Sequence, residues 1–267
     1  IIDGQPPIIS GDDARHGLPN MSVVASTPEE AFHIVDELAD SGVDFIKSYE
    51  MLLPEVFKAI LQRSQQRTLK NAGHLPIRMT IPQVLDQGDI DIQHLGGMCS
   101  GMKFECMIDS EAAFERRVSV LDDPLGSSNG LDLMMKILSL EPIDFSSDAL
   151  DKREELIKLF VEKSTWHTPT LVNTVGLRTL GFDRLPSWAS AFQFLPSVRK
   201  AEFEYGHETK EMSKEEEAWR LWNLETIALM HKSGVKMLAG TDCPPLPSYT
   251  PGFGLHFELK ALCVAGL

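Results

Sequence analysis

The 267-residue sequence predicts an α/β protein built on a parallel sheet. Apolar runs of strand length alternate with amphipathic helical segments. No two strand candidates lie close enough to form a tight hairpin, which is the pattern of successive βαβ units. The chain is also long enough for one large α/β barrel or two ordinary domains. Barrels and doubly wound sheets both satisfy the alternation. Neither G-x-G-x-x-G nor G-x-x-x-x-G-K-[ST] occurs, which lowers the nucleotide-binding options.

The elements follow in order. Pro7 to Ser10 is a short extended run, and a polar loop punctuated by Gly and Pro leads to Ser26. Thr27 as N-cap, Pro28 at the first helical position and Glu30 as the partner of a capping box open a helix. Ala31, Ile34, Val35 and Leu38 form its apolar stripe, and Gly42 ends it. Val43 to Lys47 reads as a strand, and Pro54 to Leu69 as a helix. Asn71 to His74 is a short strand, Thr80 to Gln87 a helical turn or two, and Ile90 to His94 another strand. Gly96 to Gly101 is a loop, and Ser110 to Leu121 a helix. Asp122 to Ser147 is irregular, with a helical piece around Leu131 to Leu140. Leu150 to Lys163 is helical and Trp166 to Val172 a strand. Residues 173–210 form an insertion carrying Phe182, Trp188, Phe192, Phe194 and Tyr205, read either as a lid or as ordinary exterior packing. Ser213 with Glu216 opens a long helix ending at Gly234. A strand then runs to Asp242, and a closing helix spans Leu255 to Val264.

Composition excludes some functions. The formal net charge of −14 argues against a nucleic-acid partner, which needs clustered Lys and Arg. No run of 18 or more apolar residues suggests a membrane span. Cys99, Cys106, Cys243 and Cys263 form no C-x-x-C pair and no disulfide framework, which fits a reducing compartment. A cytoplasmic location is expected. Secreted or periplasmic alternatives stay open, because Ile1-Ile2-Asp3-Gly4 reads as the middle of a longer chain, as does the abrupt end at Leu267.

Met237-Leu238-Ala239-Gly240-Thr241-Asp242 reads as a short buried strand ending on an acid, and Pro244-Pro245 prevents its continuation. Asp242 is then either a turn residue capping local amides or an acid facing a pocket. Lys47, His74 and His94 share its position, each closing a strand just before a loop. His, carboxylate and modified Lys are donors suited to zinc, and the ends of parallel strands converge on one mouth. Each residue alone has an ordinary structural role; together the four indicate a site.

These residues carry a resemblance. Gly42-Val43-Asp44-Phe45-Ile46-Lys47, Gly73-His74-Leu75-Pro76, Asp91-Ile92-Gln93-His94-Leu95 and Ala239-Gly240-Thr241-Asp242 match, in order, the metal-dependent amidohydrolase superfamily. The match is to its imidazolonepropionase-like and prolidase-like branch. The segment Gly252 to Leu259, with Ala265-Gly266-Leu267, also resembles it. The resemblance implies an incomplete (β/α)8 TIM-like barrel covering about strands three to eight, as one partial barrel domain. Lys47 would close strand four, His74 strand five, His94 strand six and Asp242 strand eight, with His167 in strand seven. It implies divalent metal, zinc above all, as one or two ions. Lys47 would be carboxylated by CO2 as a bridging ligand, because an ammonium has no lone pair to donate. His74 and His94 would hold the second ion, and Asp242 would be a metal ligand as well as the proton carrier. The family's His-x-His pair is absent from these 267 residues, and the resemblance places it, with strands one and two, before Ile1.

The implied chemistry is hydrolysis of a C–N bond by activated water, with Asp242 as proton shuttle. The substrate would be a small molecule or dipeptide-like. Tyr49, His167 and His256 are candidate substrate contacts, each with a structural alternative; for Tyr49 that alternative is packing. His33 and His231 are expected to be exposed on helices, and His207 lies in a charged, solvated stretch. Lactonase, phosphotriesterase-like or deaminase activity on the same barrel stays open, because specificity lies in loops. A non-catalytic binding or structural barrel, and assembly as a homo-oligomer, also stay open.

Overall fold

The structure, a computed structural model, describes residues 8–10, 22–97, 100–107, 111–122, 136–137, 139–140, 147–176, 179–182, 187, 190, 192–197, 200, 212–243 and 252–267. They form an α/β fold with a parallel sheet and fall into two compact units, Ile1–Trp166 and His167–Leu267.

In the first unit, β1 (Ile8–Ser10), β2 (Ser22–Val24), β3 (Phe45–Ser48), β4 (Lys70–Gly73) and β5 (Asp91–Gln93) lie in the order β2-β1-β3-β4-β5. The pairs β1/β2, β1/β3, β3/β4 and β4/β5 are parallel. Strand β2 corrects the loop expected up to Ser26. Val23 and Val24 are β-branched and favour extended backbone, a signal outweighed in the sequence by the neighbouring Gly17, Pro19 and Asn20.

Helix α1 (Pro28–Asp40) joins β2 to β3, and α2 (Pro54–Gln66) joins β3 to β4. Thr27 caps α1 by accepting the Glu30 N–H at 3.2 Å. The reciprocal half of the expected box moves back one residue, since the Glu30 carboxylate accepts the Ser26 N–H at 2.7 Å. The two helices pack on each other through buried faces that include Ala31, Val35, Phe57 and Ile60. Asp36 on α1 accepts from Arg63 Nε and Nη2 at 2.8 and 2.7 Å and from Arg67 Nη1 at 3.0 Å, clamping the solvent side of the contact.

A capped short helix, α3 (Ile81–Leu85), has its full capping box from Thr80 and Gln83. Helices α4 (Met102–Met107), α5 (Glu111–Asp122) and α6 (Ser147–Glu162) follow, and α4 packs on α6. The core gathers Ile46, Leu52, Phe57, Ile60, Ile77, Ile81, Ile92 and Phe160, all under 2 % exposed. Most of the expected irregular segment 122–147 lies outside the described residues.

The second unit holds the end of β6 (Trp166–Thr168), a π-helical turn (Val172–Gly176), α7 (Lys214–Lys232), β7 (Lys236–Met237) and α8 (Phe253–Val264). Strand β6 is shorter than the expected run to Val172, because Thr170 enters the left-handed region (φ 49°) and the chain coils into the π turn. Ser213 and Glu216 complete the capping box that opens α7. Of the aromatic insertion, Phe182 is buried and stacks on Phe257 at 6.1 Å, whereas Phe194 is exposed and stacks on Phe253. Trp188 and Tyr205 lie outside the described residues. Cys106, Cys243 and Cys263 are free thiols, and among the described residues no helix is long and apolar enough to cross a membrane.

Candidate active site

Three consecutive strands of the first unit bring three side chains to one end of the sheet. Lys47 is next to last in β3, His74 follows β4 directly, and His94 follows β5 directly. The register Lys47↔Ala72 and Gly73↔Ile92 aligns these strand ends. The His74 N–H donates to the Ser48 carbonyl at 3.2 Å, and the Ser48 hydroxyl donates to the His74 carbonyl at 3.1 Å, so β3 stays tied to β4 beyond the ladder. The His74 and His94 rings meet edge to face, with centroids 4.7 Å apart. Strand β5 stops because His94 and Leu95 take φ of 53° and 59°. That backbone costs roughly 1–2 kcal/mol for a residue with a Cβ, and such strain gathers at functional sites.

Glu50 completes this group, and sequence reasoning missed it. It is fully buried, and its Oε1 lies 2.8 Å from His74 Nδ1. Its backbone carbonyl accepts the Ile77 N–H at 2.9 Å. The loop after His94 closes over it: the Leu75 N–H donates to the Gly96 carbonyl at 2.7 Å, and Ser100 Oγ to the same carbonyl at 2.9 Å. A Cβ at Gly97 would overlap the Glu50 carboxylate, and Gly97 itself has φ 141°, so only glycine fits there. The available signal was an acid among Tyr49, Met51, Leu52 and Leu53, where burial of a carboxylate demands a partner.

Burial holds His74 well below the ordinary imidazole range, and the Lys47 charge adds to this. His94 is lowered by burial first, then by His74 and Lys47. Both rings are therefore neutral. With Glu50 as acceptor, His74 carries its proton on Nδ1, which leaves the Nε2 lone pair for a ligand. Tyr49 stacks on His74, with centroids 4.4 Å apart and planes at 26°, and packs beside the buried Met51, Ile77, Leu121 and Ile137. Its packing role and its place beside the candidate histidines coincide.

Among the described residues, no three or more His, Cys, Asp or Glu side chains form a metal-binding group. Two neutral imidazoles are good zinc donors. Lys47, whose charge reaches both, joins them as a donor only in the carbamate form. With that modification, the donor chemistry of the three residues would suit a divalent ion.

The second unit positions the other candidates. His167, in β6, is fully buried, and burial lowers it to about 3. Its carbonyl accepts the Leu238 N–H at 2.8 Å. Strand β7 ends at Met237, and Leu238 (45 % exposed) and Ala239 are exposed, which corrects the expected buried strand running to Asp242. Asp242 is half-buried with φ 53°, and its Oδ2 accepts from Asn173 Nδ2 at 2.6 Å. Glu258 on α8 is fully buried and accepts the Leu171 and Val172 N–H groups at 3.0 and 2.9 Å. Burial raises it to about 7 against the pull of those two amides. Asn173 and Glu258 were not singled out in the sequence. His256 lies on the exposed face of α8 beside Phe253. His33 and His231 are exposed as expected, and His207 lies outside the described residues.

Comparison with solved structures shows what the fold is similar to. Bottromycin amidohydrolase superposes with a TM-score of 0.59 at 18 % identity, over 97 % of this chain and 50 % of that one. The fold is shared with bottromycin amidohydrolase. A. niger ochratoxinase superposes with a TM-score of 0.52 at 14 % identity, over 98 % of this chain and 49 % of that one. These likenesses are ones of fold, and the chain spans about half the length of these structures. No family model matches the chain, and no curated protein matches it in sequence.

The buried His167 makes a pH-dependent prediction. The folded chain keeps this ring neutral down to about 3, whereas the unfolded chain protonates it at 6.5. Its contribution is complete above 6.5 and is lost as pH falls, at up to about 1.36 kcal/mol per pH unit. Glu258 runs the other way: its contribution is present below 4.5 and lost as pH rises through about 7. Urea unfolding of wild type and His167→Gln from about pH 7.5 to about pH 5 should show the wild-type advantage narrowing as pH falls. A pH-independent difference would contradict the assignment.

Proposed function

We propose that the chain carries part of an amidohydrolase-type (β/α)8 barrel and hydrolyses an amide or peptide-like C–N bond in a small or dipeptide-like substrate. The observation that carries this reading is the group at the ends of β3, β4 and β5. Two neutral imidazoles lie 4.7 Å apart, a lysine acts on both, and a buried carboxylate fixes one ring. The shared fold and the ordered motifs support it.

His74 through Nε2, His94, and Lys47 as a carbamate would hold one or two divalent ions, zinc above all. The carbamate turns a cationic donor into two acceptor oxygens with a negative charge. When bound, such an ion supplies Lewis acidity, polarising the scissile carbonyl and making water nucleophilic near neutral pH. Glu50 holds the His74 tautomer, so no proton must leave that ring for it to coordinate. Asp242 takes the proton released as water attacks and returns it to the leaving nitrogen, giving a carboxylic acid and an amine. Tyr49, His167 and His256 remain candidate substrate contacts.

Amine release from a panel of N-acyl amino acids and dipeptides, with lactones and phosphotriesters as competing arms, tests the bond cleaved; turnover confined to the competing arms would redirect the assignment. Mass spectrometry of the intact protein should show an added mass of about 44 Da at Lys47, the mass of CO2. Unmodified Lys47 at full metal occupancy contradicts the carbamate. Asp242→Asn should lower turnover by on the order of 10²-fold or more with most metal retained, and wild-type turnover would remove Asp242 as the shuttle.

A further inference from the structure

We infer that Asn173 is a positioning residue for Asp242, fixing the orientation of its carboxylate for proton transfer through a hydrogen bond to Oδ2. The inference rests on the reading of Asp242 as the proton carrier. A carboxylate on a short side chain rotates about its terminal torsion with little preference, because that torsion is broad and roughly two-fold. A charge-assisted hydrogen bond from one side removes that freedom. Asn173 Nδ2 supplies one, at 2.6 Å.

Asn173 is itself held from several directions. It sits in the π turn, where its own N–H and that of Thr174 both reach the Thr170 carbonyl at 2.8 Å. Glu258 takes the two amides just before it, Leu171 and Val172. Trp219 Nε1 donates to the Thr174 carbonyl at 3.0 Å just after it, and the Thr174 hydroxyl donates back to the Pro169 carbonyl at 2.9 Å. A fully buried glutamate on α8 and an indole on α7 thus pin the turn on both sides of Asn173.

The opposite partner is held as well. Gly240 approaches β6 so closely that a Cβ there would overlap the Thr168 methyl group. Asp242 then turns through φ 53°, a region Asp tolerates better than most residues. A π-helical turn is rare and often marks a functional site. Here it delivers one donor to one oxygen of the acid.

The test uses the intact protein and two independent readouts. In 1H–15N spectra of metal-free protein, the Asn173 side-chain amide is identified by its loss in Asn173→Leu, with Asn173→Ser as the alternative should Leu not fold. That amide should be displaced in Asp242→Ala. An undisplaced amide overturns the inference. In amine-release kinetics, Asn173→Leu should lower kcat by on the order of 10-fold with KM and metal content unchanged, because only the orientation of the proton carrier is lost. Wild-type kcat in Asn173→Leu, alongside an inactive Asp242→Asn, overturns the positioning role alone. Full turnover in Asp242→Asn overturns the assignment of Asp242 itself, and with it this inference.

Discussion

The hydrogen bond between His74 Nδ1 and the buried Glu50 carboxylate is the constraint on which the candidate site depends. A fully buried carboxylate is tolerated only with strong partners, and removing one partner of such a pair costs several kcal/mol, typically about 3–5. The surrounding chain is arranged to keep the pair intact. The Ser48 and His74 backbones lock to each other, Ile77 anchors the Glu50 carbonyl, and Gly97 leaves the space that the carboxylate fills. The result is an imidazole with a fixed tautomer at the end of β4, against the ring of His94 and under the charge of Lys47.

The second unit repeats this design with different groups. A buried carboxylate, Glu258, again takes donors, here two backbone amides, and thereby shapes the turn that carries Asn173 to Asp242. In both units the candidate residues leave their strands through left-handed backbone: His94 after β5, Thr170 after β6 and Asp242 beyond β7. This strain persists because the hydrogen bonds around it over-determine the local conformation.

Much of the framework was legible from local chemistry. Thr27 with Pro28, Thr80 with Gln83, and Ser213 with Glu216 mark helix starts whose caps form as expected, with Glu30 reaching Ser26 instead of Thr27. The placement of Lys47, His74 and His94 at neighbouring strand ends was legible because each closes or follows an apolar run at the same point of the βαβ pattern. Glu50, Asn173 and Glu258 were not, because their roles arise from tertiary contacts. Glu50 meets a histidine 24 residues away, and Glu258 meets amides 86 and 87 residues away. Strand β2 was hidden by flanking turn residues. The reach of β7 was overestimated because Met237, Leu238 and Ala239 are apolar in sequence, yet Leu238 and Ala239 are exposed.

The central claim is that His74, His94 and Lys47 hold a divalent ion that amide hydrolysis requires. Chelation followed by stoichiometric zinc, applied to wild type and to His94→Ala, tests it most directly by following amine release from the N-acyl amino acid and dipeptide panel. The account predicts that the chelated wild type loses turnover and regains it with zinc, while folded His94→Ala does not regain it. Turnover that survives chelation, or zinc restoring His94→Ala as fully as wild type, would contradict it.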